Sequence, residues 1–242
     1  MRRFLVLVVL SVLVVSLGCA SQQPVSFTPA PTPSRPPVVK KEREREPQRE
    51  AEPFAQVPSV GGVHPRREWA NAAPIVSRLD PMGTPTCITV HHEGDYASPM
   101  SQSYVCGHLR AIRTQQIKTK ASGGLEAGDI AYHFIIDPSG NVWEGRSLQY
   151  QGAHAGNFYA NRGNIGICLL GNFDAQTVPE AQRQALRRLL VTLMKRYRLS
   201  ASAIYTHREV KRRFGLPPTE CPGRNLQVYV DSLRTQFRVA SR

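Results

Sequence analysis

A chain of 242 residues, 41% of them hydrophobic, is long enough to bury one sizeable core with accessory segments to spare. With 31 Lys and Arg against 18 Asp and Glu it carries a net charge of +13, which calls for an anionic partner: nucleic acid, a membrane surface or an anionic polymer. No basic patch interleaved with aromatics and no helix-turn-helix or zinc-finger spacing occurs, so nucleic acid is set aside.

Arg2 and Arg3 precede the apolar run from Phe4 to Val15, followed by Ser16-Leu17-Gly18-Cys19. A basic start, a short apolar stretch and small residues near a cleavage point describe an export signal over residues 1–19. The run is shorter than the roughly 20 apolar residues needed to span a bilayer. Gly18-Cys19 resembles the lipobox of bacterial lipoproteins, which implies that Cys19 becomes the lipidated first residue. Ser16 and Leu17 depart from that pattern, which prefers an aliphatic and then a small residue there. Cleavage with release and an uncleaved anchor are the alternatives. The expectation is an exported protein, lipid-anchored in the cell envelope on its periplasmic or cell-surface side. Residues 20–58, with Pro24, Pro29, Pro31, Pro33, Pro36, Pro37 and the mixed charges from Lys40 to Glu52, read as a disordered tether.

Residues 59–242 form the expected domain, with globular patterning from Val63. The β-branched run Cys87 to His91 predicts a strand. Val105, Leu109, Ile112 and Ile117 place a helix over Ser101 to Lys118. Ile130 to Asp137 and Val142 to Glu144, joined by Pro138-Ser139-Gly140-Asn141, predict a hairpin. Asn164 to Leu170 predicts a buried strand. Thr177 and Glu180 have capping-box spacing ahead of a helix through Ala185, Leu189, Leu193 and Tyr197. A last strand is expected over Ala203 to Thr206 and a closing helix over Leu226 to Phe237. The alternation predicts an α/β fold, a central mixed sheet flanked by helices.

Three positions suggest a metal: His91 at the end of the first strand, His207 after the last, and Cys221 in Thr219-Glu220-Cys221-Pro222-Gly223. Imidazole and thiolate together suit zinc, and three protein ligands leave a fourth position for water. Setting aside Cys19 and Cys221, the five cysteines leave Cys87, Cys106 and Cys168, so at most one internal disulfide can form. The sequence does not choose the pair; Cys87 with Cys106 is one candidate.

The surrounding segments occur in a telling order. They are Pro65-Arg66-Arg67-Glu68-Trp69, Ile88-Thr89-Val90-His91-His92, Asp129 to Asp137 (DIAYHFIID), Glu144-Gly145-Arg146 and Gly152-Ala153-His154. Asn164-Ile165-Gly166-Ile167, Gly171-Asn172-Phe173, Thr206-His207-Arg208-Glu209 and the Cys221 segment follow. Over about residues 63 to 240 the chain closely resembles the superfamily of peptidoglycan recognition proteins and type 2 N-acetylmuramoyl-L-alanine amidases. That resemblance implies zinc on His91, His207 and Cys221, and hydrolysis of the amide between N-acetylmuramic acid and L-alanine in peptidoglycan or muropeptides. It implies catalytic hydroxyls at Tyr132 and Thr219, and substrate contacts at His154 and Asn157. Arg146 either meets a substrate carboxylate or braces the hairpin. His133 has either a site role or a structural one. His92 points off the metal, and Glu93 reads as a solvated loop acid. Another branch of the superfamily uses an Asp as third ligand and a Glu as general base; this chain has Cys221 and Cys168 at those places, which leaves Tyr132 among the proton donors. A binding module that no longer cuts is the rival reading, and such members commonly lose a ligand, especially the Cys. An envelope lipoprotein with a purely structural role is a third.

Overall fold

A computed structural model describes residues 62–118, 120–121 and 125–240. The export signal with Cys19 and the tether over residues 20–58 lie outside the described residues. In chain order the elements are β1 (Val63–His64), β2 (Cys87–His92), α1 (Gln102–Lys118), β3 (Lys120–Ala121), β4 (Leu125–Glu126), β5 (Phe134–Ile136) and β6 (Val142–Glu144). There follow α2 (Phe158–Asn161), β7 (Asn164–Leu169), α3 (Glu180–Tyr197), β8 (Ile204–Thr206), α4 (His207–Arg213) and α5 (Arg224–Ala240). Six strands form one sheet in the order β1-β6-β5-β7-β2-β8. Strands β5, β7, β2 and β8 run parallel, β6 is antiparallel to β5, and β1 is parallel to β6. The sheet is therefore mixed, and β3 and β4 pair as a separate antiparallel ribbon.

Side chains alternate between the two faces of a strand, and this alternation sorts the core. Ile88, Val90, Phe134, Ile136, Ile165, Ile167, Leu169 and Ile204 pack with Leu186, Leu189, Leu190 and Leu193 of α3 and with Leu226, Val230, Leu233 and Phe237 of α5. On the opposite face Ile135, Trp143 and Cys168 pack with Val105, Cys106 and Leu109 of α1. Every residue of β7 is buried, as expected of a parallel strand covered on both sides. Register pairs His91 with Cys168 and Cys168 with Ile135, so His91 belongs to the α1 face, one residue from the C-terminal end of β2.

Several boundaries differ from the sequence expectation. The strand expected from Ile130 begins only at Phe134, because the carbonyls of Asp129 and Ile130 turn instead to the Arg146 guanidinium. The hairpin turn is held by Asp137: one carboxylate oxygen accepts the amides of Ser139 and Asn141, the other the Trp143 indole N–H, an Asx-type turn. Thr177 and Glu180 form no capping box. Helix α3 starts after Pro179 without a side-chain cap, and Glu180 bonds Arg183 and Gln184 instead. Cys87, Cys106, Cys168 and Cys221 are all free thiols, which removes the disulfide. Cys87 opens β2 beside the Gly163 carbonyl, whereas Cys106 sits on α1 facing the Glu68 carbonyl. No helix among the described residues is long and apolar enough to cross a membrane.

Candidate metal centre

His91, His207 and Cys221 converge: one ligand atom from each lies within 4.8 Å of the others. Local structure explains how residues so far apart in sequence meet. Strand β2 delivers His91. Strands β2 and β8 are neighbours, with Val90 opposite Thr206, so the residue after β8, His207, lands beside it as the first residue of α4. A capping box fixes that helix start: the Thr206 side chain caps the third helical amide, and Glu209 accepts the Thr206 amide at 2.8 Å. Arg234 holds the Glu209 carboxylate through both oxygens. The Cys221 segment is clasped to the same turn, since the Arg208 amide donates to the Cys221 carbonyl at 3.0 Å. The Thr219 hydroxyl accepts the Cys221 amide at 3.2 Å, which ties Thr219 to the backbone of the Cys221 segment and leaves its own hydroxyl proton to donate.

The donor set suits zinc. Cys221 Sγ lies 3.7 Å from His91 Nδ1, while tetrahedral zinc, with bonds of about 2.0–2.1 Å to nitrogen and 2.3 Å to sulfur, places two such ligands about 3.6 Å apart. His207 Nε2 is buried without a hydrogen-bond partner. An orphaned buried polar atom is costly in a folded protein, and a metal ion is the partner that would satisfy it. Burial, then the neighbouring imidazoles, lowers the pKa of His91 well below the ordinary range, and burial lowers that of His207 to about 4. Both rings are neutral near pH 7 and present lone pairs. Burial pushes the Cys221 thiol up to about 12, a bias that a bound divalent cation reverses.

Tyr132 lies against the centre, its ring centroid 5.2 Å from that of His91. Burial, reinforced by the neighbouring Cys168 and Cys221, raises its hydroxyl pKa well above 10, so the group keeps its proton and can donate it. A cleft of about 200 Å³ opens beside it, lined by Glu93, Asp95, Gln115, Gln116, Tyr132 and Cys168 among others.

Other expected site residues are placed differently. Arg146 is 3% exposed and its guanidinium donates to the carbonyls of Ile130, Gln151 and Asp129. It braces the loops around the hairpin and is withdrawn from substrate contact. Arg146→Met leaves those three carbonyls unpaired at about 1–3 kcal/mol each, not fully additive. We expect a loss of about 3 kcal/mol, a melting temperature lower by about 6–12 °C, and an unchanged KM well below melting; thermal denaturation with steady-state kinetics checks this. Asn157 is the N-cap of α2, accepting the Ala160 amide at 2.8 Å, so its side chain is fixed by the helix start it caps. His154 is 6% exposed and turns inward, with Nδ1 at 3.0 Å from His91 Nε2. His133 is structural: its Nδ1 accepts the Gly166 amide and its Nε2 donates to the Tyr150 carbonyl. His92 points off the centre and accepts the Phe173 amide at 3.3 Å. Glu93 is not a free loop acid, for His108 of α1 bonds it at 2.5 Å. That pair escaped the sequence reading, because its 15-residue separation crosses from a strand end to a helix.

A fold of this topology, carrying a two-histidine, one-cysteine cluster at the end of a central strand, falls in a defined class. The chain belongs to the N-acetylmuramoyl-L-alanine amidase family Amidase_2, whose model matches residues 81–224. Among curated proteins it is 35% identical over 139 residues to peptidoglycan-recognition protein SC2 of Drosophila melanogaster, covering 57% of this chain and 67% of that one. The crystal structure of the Drosophila peptidoglycan recognition protein SD superposes with a TM-score of 0.55 at 29% identity, covering 66% of this chain and 88% of that chain. The amidase LysC of Clostridium intestinale shares the fold, with a TM-score of 0.51 at 23% identity over 73% of this chain and 97% of its own.

Proposed function

We propose that this chain is a zinc-dependent amidase that hydrolyses the bond between N-acetylmuramic acid and L-alanine in peptidoglycan or its fragments. The observation that carries the reading is the complete ligand set: His91 Nδ1 faces Cys221 Sγ, and His207 Nε2 is buried without a partner beside them. Family membership and the peptidoglycan-binding names of the relatives support the substrate class. A purely recognising module has no need of this donor set with a protonated Tyr132 against it.

When bound, zinc would supply Lewis acidity, polarising the scissile carbonyl and bringing the pKa of a coordinated water near about 7. The chain's own residues do the rest. Amide hydrolysis builds negative charge on the carbonyl oxygen, and we assign the Tyr132 and Thr219 hydroxyls as the donors that meet it. The departing L-alanine nitrogen needs a proton, and Tyr132 Oη carries one at neutral pH. Incubation with defined muropeptides is expected to release peptides with a free L-alanine amino terminus, and a chelator is expected to stop it; the absence of such products from zinc-loaded protein refutes the reading. From the N-terminal sequence we further infer export and acylation at Cys19, which mass spectrometry of the mature N-terminus tests.

A further inference from the structure

We propose that His154 is a positioning residue for the metal centre: through hydrogen bonding it fixes the tautomer of His91, and so presents His91 Nδ1, unprotonated, to the cation. The inference rests on the zinc reading above.

A neutral imidazole has one N–H and one lone pair, so fixing one nitrogen decides the other. His154 Nε2 lies 3.1 Å from the Asn164 carbonyl oxygen. A carbonyl can only accept, so His154 carries its proton on Nε2 and its Nδ1 offers a lone pair. That Nδ1 lies 3.0 Å from His91 Nε2, which must therefore be the protonated nitrogen of His91. The remaining lone pair of His91 is then on Nδ1, the atom that faces Cys221 Sγ at 3.7 Å. A peptide carbonyl on β7 thus sets the protonation of two rings in series.

The surroundings are built to hold His154 still. Asn161 Oδ1 accepts the amides of both His154 and Ala155 at 2.9 Å, which fixes the backbone. The ring lies in a slot between two glycines. A Cβ added at Gly152 or at Gly166 would come within 2.4 Å of His154 Cδ2, closer than carbon atoms approach. Gly166 sits in the middle of fully buried β7, where glycine is otherwise unfavourable, and the ring accounts for it. Metal-bound histidines generally donate their second N–H to such a partner, and losing it costs about 10–100-fold in affinity. The partner here is a third imidazole rather than a carboxylate, so the hydrogen bond orients His91 without adding negative charge.

The first test uses the wild-type chain without metal. A long-range proton–nitrogen NMR correlation spectrum is expected to show His91 protonated on Nε2 and bare on Nδ1. A proton on Nδ1 overturns the proposal, and this outcome depends on no variant folding. The second measures zinc affinity by competition with a chelating dye. His154→Phe keeps a ring in the glycine slot but has no acceptor, and is expected to bind zinc about 10–100-fold more weakly. His154→Asn puts an amide oxygen where Nδ1 stood and is expected to stay within about threefold of wild type. Gly166→Ala, which displaces the ring, is expected to weaken binding in the direction of the Phe variant. A folded Phe variant that holds zinc as tightly as wild type overturns the proposal. Wild-type protein that binds no zinc, yet shows the expected tautomer, refutes the metal reading and leaves the hydrogen-bond relay standing.

Discussion

Cys221→Ala is expected to abolish zinc retention and to lower kcat/KM by about 1,000-fold or more. Lewis-acid stabilisation by a bound metal amounts to several kcal/mol, and each 1.36 kcal/mol is about tenfold in rate. The fold should survive the change, because the bonds that clasp this loop use the backbone. The Arg208 amide donates to the Cys221 carbonyl, and the Cys221 amide donates to Thr219 Oγ1. A near-unchanged melting profile in the metal-free state separates ligand loss from unfolding. Protons give a second readout. The thiol is held up to about 12 by burial, whereas the imidazoles are already neutral. Zinc uptake near pH 6, where the imidazoles are already neutral and a coordinated water still keeps its proton, should therefore release about one proton in the wild type, and the variant should show no uptake. Calorimetry in buffers of different ionisation enthalpy measures this. Wild-type turnover in zinc-free Cys221→Ala would refute the metal-dependent reading.

Much of this architecture was legible in the sequence. The strands at Cys87 and Asn164, the helix ending at Lys118 and the closing helix at Leu226 all carry strong patterns, because burial on one or two faces writes a clear period. The three convergent ligands were visible only through the ordered segments around them, since no single histidine or cysteine announces a metal. Context decided what remained illegible. The pattern from Ile130 to His133 reads as strand, yet the Arg146 guanidinium takes the Ile130 carbonyl, and a hydrogen bond to a residue 16 positions away leaves no periodic trace. The capping signal was read in the wrong place. Thr177 and Glu180 have the spacing but Pro179 intervenes, while Thr206-His207-Arg208-Glu209 has the same spacing and makes the box. Recognised there, it would have predicted that His207 opens a helix. Arg146, Asn157 and His154 share one lesson: a polar residue in a site-like motif can serve the frame. Burial and partners tie Arg146 to bracing and Asn157 to capping, and the proposal above gives His154 the orienting of a ligand.

Tyr132→Phe separates chemistry from metal binding. We expect zinc affinity within about threefold of wild type, since the tyrosine is not among the converging ligand atoms, and a fall in kcat of about 100- to 1,000-fold, the usual cost of removing one well-placed oxyanion donor. KM should change little, because a donor that acts on developing charge contributes mainly in the transition state. The alternative role of the ring is packing against His91 at 5.2 Å between centroids. Phe retains that contact, so a purely structural tyrosine predicts nearly full activity. Thr219→Val supplies the comparison. If the two hydroxyls share the developing charge, each single variant loses part of the rate and the double variant loses less than the product of the two. If Tyr132 also protonates the departing nitrogen, its variant is the more impaired with muropeptides and recovers toward wild type on an activated ester, whose leaving group needs no proton. Equal impairment on amide and ester would confine Tyr132 to the oxyanion, and full activity on both would remove it from the chemistry.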